Sequence, residues 1–149
     1  ADNKLPMFGA VNGGLESGFM LAHVTAASLA SENKTLAHPS SVDSLSTSAG
    51  QEDIVSMAPW AGRSCLRILD NVRMILAIEL LVAGNINHRF HHNLNSSNGL
   101  QVLMDLLKKS KVLSKKDRVF SKDIEIISDL IKTDQVYSVV NKVNKISRV

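Results

Sequence analysis

One stretch governs what this chain can fold into. From Gln51 to about Ile86, apolar residues recur at Ile54, Ala58, Ala61, Cys65, Leu69, Val72 and Leu76. The intervals are three or four throughout, the spacing of one face of an α-helix. Ser56, Arg63, Arg67 and Asp70 lie on another face, but after Arg73 that polar side is continued by Met74, Ala77 and Leu81. A helix that turns apolar all round is expected to be buried all round. At 1.5 Å per residue the segment would run about 50 Å. A compact chain of 149 residues has a diameter of only about 40 Å. The apolar half, Met74 to Ala83, therefore needs a partner: either other chains or the rest of a larger molecule. Ser48 with Gln51 three residues on fits a capping box and sets the expected start of the helix. Pro59 would then fall inside and disturb it, removing the bond to the Val55 carbonyl.

The remaining segments also read as helical. Small residues crowd from Leu15 to about Asn33 behind Phe19 and Met20, predicting a helix that lets a neighbour approach closely. Leu100, Leu103, Leu106 and Leu107 mark a shorter one. Ser121 is expected to cap another carrying Ile124, Ile127 and Ile131, and Val136, Val139 or Val140, Val143 and Ile146 mark the last. Residues 1–14, with Pro6, Gly9, Gly13 and Gly14, read as a connection. Residues 34–50, with seven serines or threonines and Pro39, read as a loop of functional length. Aromatic residues are only 4%, which suits helices packed through aliphatic side chains better than a β-sandwich. The expected fold is all-α: long helices at 1–97 that pack into an oligomeric antiparallel bundle, then a small helical segment at 98–149.

Several function classes are excluded or disfavoured. One cysteine leaves no internal disulfide framework or Cys-based zinc site. The longest apolar run is too short for a membrane span. No leader is visible, so the cytoplasm is the expected compartment. Residues 105–149 carry eleven Lys/Arg against six Asp/Glu, a net +5, whereas residues 1–104 carry a net −2. The excess, around Lys108, Lys109, Lys111, Lys115, Lys116 and Arg118, has no interleaved aromatics to stack on bases. It reads as a solvated face rather than a nucleic-acid site.

The candidate chemical groups are few. Glu52 and Asp53 are adjacent, so on a helix they would point about 100° apart and form no catalytic pair. At a helix start they would complement the dipole. His88, His91 and His92 form an H-x-x-H-H cluster beside Arg89, without the spacing of a zinc enzyme. No metal site is expected. His23 reads as a core histidine, His38 as a loop residue, and Cys65 as an inert buried thiol on the apolar stripe. Glu79 interrupts the most apolar run and needs a partner if buried.

Longer words carry a resemblance. Gly13-Gly14-Leu15-Glu16-Ser17-Gly18-Phe19-Met20 is followed in order by Ser31-Glu32-Asn33-Lys34-Thr35-Leu36-Ala37-His38-Pro39, Val42-Asp43-Ser44 and Thr47-Ser48-Ala49-Gly50-Gln51-Glu52-Asp53. With Val55-Ser56-Met57, Asn71-Val72-Arg73, Leu76-Ala77-Ile78-Glu79-Leu80-Leu81 and Asp117-Arg118-Val119-Phe120, these closely resemble the histidine ammonia-lyases of the aromatic amino-acid lyase family. The resemblance implies the C-terminal part of an enzyme that eliminates ammonia from L-histidine to give urocanate. It implies a homotetramer whose long helices are shared, or a missing N-terminal lyase portion as partner. The family's methylidene-imidazolone electrophile forms from an Ala-Ser-Gly element. This sequence has none, only Ser48-Ala49-Gly50 in another order. Carried over by residue, Glu52 is the expected catalytic glutamate facing the substrate, and Gln51 its supporting neighbour. A carboxylate at that place suits an imidazole N–H. The isolated chain is expected to be inactive. The alternatives are a non-catalytic helical oligomerisation remnant, or a lyase acting on phenylalanine or tyrosine. Glu16 and His23 stand where relatives usually carry Asn and Gln.

Overall fold

A computed structural model describes residues 5–144 apart from His92 and Asn95. Five helices follow one another: α1 (Met20–Leu36), α2 (Ala58–Phe90), α3 (Asn98–Lys109), α4 (Ser121–Lys132) and α5 (Gln135–Asn144). The all-α expectation holds. His92 of the histidine cluster and Ile146 of the last helix lie outside the described residues.

The spine is α2, 33 residues long and so about 50 Å from end to end. It starts at Ala58, seven residues later than the capping-box pattern suggested. Pro59 is the reason: it sits in the first turn, where its missing N–H would have no intrahelical partner and its fixed φ favours the helix. It begins the helix instead of disturbing it. The first helix is likewise shifted from the expected Leu15–Asn33, because Gly18 is held at φ +57. A Cβ at Gly18 would collide with the Phe8 carbonyl oxygen. Ser121 is the first helical residue of α4 and Phe120 the cap position. By contrast, Ser97 caps α3, its Oγ accepting from the Leu100 N–H.

Both α1 and α4 pack on α2, and α5 packs on α3 and α4. The core joins Phe19 and Ala22 to Ala77, Ile78 and Leu81 of α2, and to Leu107, Val112 and Ile127 from the later segments. Leu81, Leu107 and Ile127 are wholly buried, each contributing about 1.5–3 kcal/mol relative to an exposed position. At Gly84 a Cβ would lie 2.7 Å from Leu107 Cδ1, so glycine lets that leucine reach the helix backbone.

This core corrects the sequence reading of α2. The buried α2 residues are Ser64, Ala77, Ile78, Leu81, Gly84 and Asn85. The stripe expected to be buried lies largely in the open: Leu69 is 56% exposed, Val72 39% and Leu76 46%. Cys65, expected to be a buried thiol, is exposed. The all-round burial expected for Met74–Ala83 is not reached within the chain, since Leu76, Glu79 and Ala83 remain exposed. Periodicity identified a helix face correctly but not which face its own chain would cover. No helix among the described residues is long and apolar enough to cross a membrane.

Polar ties hold the ends of the fold. The Asn85 amide donates to the Leu81 carbonyl at 2.9 Å and the Val112 carbonyl at 3.2 Å, and its Oδ1 accepts the Ser114 N–H at 2.8 Å. Arg89 donates to the carbonyls of Ser114 (2.7 Å), Gly9 (2.9 Å) and Lys116 (3.1 Å), with its guanidinium over the Phe19 ring. Burial pulls Arg89 below its ordinary value, while Asp117 and Glu16 oppose that shift. Arg118 grips Asp123 bidentately at 2.8 and 2.9 Å. Burial raises the Asp123 carboxyl above the ordinary range, and Arg118 draws it part of the way back.

Glu16, one of the departures from the family pattern, also has a structural role. Its Oε2 accepts the N–H groups of Asn12 (3.1 Å) and Val11 (2.9 Å), closing the loop before α1. The Asn12 bond first, then the Val11 bond and the Arg89 charge, hold its carboxyl below the ordinary range against some desolvation. A depressed folded pKa gives stability that is present above the unfolded value and lost as pH falls through the folded one. Glu16→Gln should therefore leave a chain whose melting temperature changes less than the parent's on acidification below about pH 5. Thermal unfolding followed by circular dichroism across that range is the measurement. Identical acid limbs would show that the Glu16 bonds add nothing.

Candidate functional site

Between α1 and α2 the chain crosses an exposed, serine-rich segment with almost no core of its own. Its shape comes from two nested ties. The outer one is the Ser44 Oγ accepting the Val55 N–H at 2.8 Å. The inner one pairs Thr47 with Glu52: the Thr47 N–H donates to the Glu52 carbonyl at 3.1 Å, and the Glu52 N–H to the Thr47 carbonyl at 3.3 Å. Ser48, Ala49, Gly50 and Gln51 form the tip.

Three tip residues in succession are left-handed: Ser48 at φ +55, Ala49 at +57 and Gly50 at +84. Gly50 takes this without penalty, but Ser48 and Ala49 each pay on the order of 1–2 kcal/mol. The expectation that Ser48 caps a helix is overturned here. Ser48 and Gln51 do stand three apart because they pair, the Gln51 N–H donating to the Ser48 carbonyl at 3.2 Å. The pairing closes a single tight 3-10 turn, Ser48–Gly50, and starts no α-helix. Glu52 and Asp53 accordingly have no helix dipole to complement.

The turn presents Gln51 and Glu52 at the surface, both exposed. An open cleft of about 620 Å³ lies beside its base, lined by Ser40, Asp43, Ser44, Ile54, Met57 and Ala61 among others. Glu52 is thus carried by a turn that none of the described residues covers. Such a carboxylate can accept hydrogen bonds or hold a cation for a group brought from outside.

The other candidates scatter. His23, read as a core histidine, is exposed on α1. It shares an apolar groove of about 690 Å³ with Glu79, Phe8, Phe19, Ile78 and Ile86. Glu79 is itself exposed and needs no buried partner. His38 is exposed just past α1, away from the tip in sequence. His88 and His91 line a small polar cavity of about 210 Å³ with Gln101, Asp105 and Lys108. Among the described residues no three His, Cys, Asp or Glu side chains are grouped to hold a metal ion.

The family words that flank the loop do meet. Arg67 donates to Glu32 Oε1 at 2.7 Å, and the Asn71 amide donates to Glu32 Oε2 and Asn33 Oδ1, both at 2.9 Å. This network locks the end of α1 against α2 and so fixes where the loop leaves and returns. Sequence reasoning missed Ser44 as its clasp, because a bond across eleven residues has no local pattern.

The family profile described as Aromatic amino acid lyase matches residues 1–109. The chain is 51% identical over 136 residues to a histidine ammonia-lyase of Aliivibrio fischeri, covering 91% of this chain and 26% of that protein. To the Homo sapiens histidine ammonia-lyase it is 47% identical over 137 residues, 92% of this chain and 21% of the relative. The crystal structure of histidine ammonia-lyase from Trypanosoma cruzi superposes with a TM-score of 0.87 at 40% identity, over 93% of this chain and 27% of that one. The chain thus spans about a quarter of the length of the relatives it matches. With the profile matched across its loop and long helix, and the helices laid out as in a solved lyase, this chain belongs to the aromatic amino acid lyase family.

Proposed function

We propose that this chain acts as the C-terminal part of a histidine ammonia-lyase-like enzyme, one that eliminates ammonia from L-histidine to give urocanate. It contributes Glu52 to the active site, with Gln51 in support, and α2 to a helix core shared between copies. The observation that carries this reading is the placement of Glu52. It stands exposed on a clasped, strained turn, in a chain about half identical to proteins named for histidine. Strained, well-tied turns cluster at functional sites.

The methylidene-imidazolone electrophile belongs to the remainder of the enzyme, because no Ala-Ser-Gly occurs in this sequence. When present it supplies the electron-poor centre for the substrate amine. The residues here fit a role facing that group: an exposed carboxylate able to hold a cation or accept an imidazole N–H, and an exposed amide beside it. The carboxylate at Glu52 and the names of the relatives both favour histidine over phenylalanine or tyrosine.

The test is complementation. The purified chain alone should form no urocanate, followed by its ultraviolet absorbance. Combined with the remaining portion of a histidine ammonia-lyase, it should restore the reaction. Turnover by the chain alone, free of contaminating enzyme, would overturn the division of labour. A stable lone oligomer that complements nothing would favour a non-catalytic helical remnant.

A further inference from the structure

We propose that Ser44 is a positioning residue for Glu52, acting through the backbone of the loop that carries it; the inference rests on the reading of Glu52 given above. The loop from Val42 to Ile54 is exposed throughout, so packing cannot fix its shape. Hydrogen bonds must, and the two ties already described are nested. The inner pair, Thr47 with Glu52, closes a tip whose two strained non-glycine residues, Ser48 and Ala49, favour opening. The outer tie, from Val55 N–H to Ser44 Oγ at 2.8 Å, draws the two strands of the loop together just outside that pair. Val55 is half-buried, unlike the loop residues before it, and stands three residues before α2 begins at Ala58. Ser44 therefore couples the loop's rising limb to its anchored descending limb. Without its oxygen the limbs separate, the strained tip relaxes, and the backbone that carries Glu52 loses its fixed position. A displacement of about 1 Å at a reacting group can cost a hundredfold in rate.

Ser44→Ala removes the acceptor, and Ser44→Thr keeps it. In the chain alone, hydrogen exchange at the amides of Thr47, Glu52 and Val55 should quicken at least tenfold in Ser44→Ala. The melting temperature should not move, since the core lies elsewhere. In the complemented lyase, Ser44→Ala should lower kcat for histidine about tenfold with KM nearly unchanged, and Ser44→Thr should restore it. Unchanged exchange at Thr47 and Glu52 overturns the inference without any activity measurement. So does faster exchange with parental kcat, or a kcat loss that Ser44→Thr fails to rescue. If Glu52→Gln itself leaves turnover intact, the reading of Glu52 fails and the inference falls with it. If Glu52→Gln is damaging and Ser44→Ala is silent, only the inference falls.

Discussion

Glu52→Gln in the complemented lyase should lower histidine turnover on the order of a hundredfold while leaving the melting temperature of the chain where it was. The two halves of that expectation have separate grounds. The stability half follows from exposure: the Glu52 side chain lies outside the core, and its backbone pair with Thr47 does not depend on the side chain. The rate half follows from chemistry. An amide of the same shape can neither take up a proton nor balance a cationic group, and losing one such contact commonly costs a factor of 10² or more. Asp53→Asn is the control, an adjacent exposed carboxylate on the same segment. It should stay within a few-fold of the parent. Should both variants do so, Glu52 is an ordinary surface acid on a turn.

Leu76→Asp should convert a self-associating chain into a monomer. The face formed by Leu69, Val72 and Leu76, with Leu66 at 65% exposure beside it, leaves a row of large apolar side chains uncovered along a helix about 50 Å long. Exposed apolar area of that extent marks an interaction site. A second copy laid antiparallel would present the same face in return. A charge placed in the middle of such a contact is left without a partner and costs several kcal/mol, enough to lower association by a thousandfold or more. Because Leu76 is already half exposed in the single chain, the helical content should survive. Light scattering and circular dichroism on parent and variant decide the matter. A parent that remains monomeric at high concentration contradicts the argument at its first step.

The features behind these expected results were legible in the sequence to different degrees. The long helix was plain, because a three-four spacing sustained over twenty residues has no other regular interpretation. Its start was misread because Ser-x-x-Gln serves both as a cap and as a closed turn. Pro59 was the better signal, since proline is at ease in a first helical turn. The burial of α2 was misread for a different reason. Its own chain covers the flank of Ser64, Ala77 and Asn85 through α1, α4 and the segment after α3. The stripe of Cys65 and Leu69 it leaves exposed. Periodicity reports that a face is apolar and is silent on who covers it. At the site, Gln51 and Glu52 could be picked out only by resemblance. The turn's left-handed backbone and the Ser44 clasp depend on contacts that no local spacing encodes.

The knot at Arg89 bears on how the chain acquires its shape. One guanidinium bonds the carbonyls of Gly9, Ser114 and Lys116, and the Gly18 N–H is held by Asp117 across ninety-nine residues. Helices of this kind form in about a microsecond. The contacts that fasten them here must wait for the first and last thirds of the chain to find each other, and closures of long range are what slow folding. The leading loop and the segment after α3 should then lock in one late step. Neither should mature while the other is absent, and a cut placed between them is expected to leave two unfinished pieces.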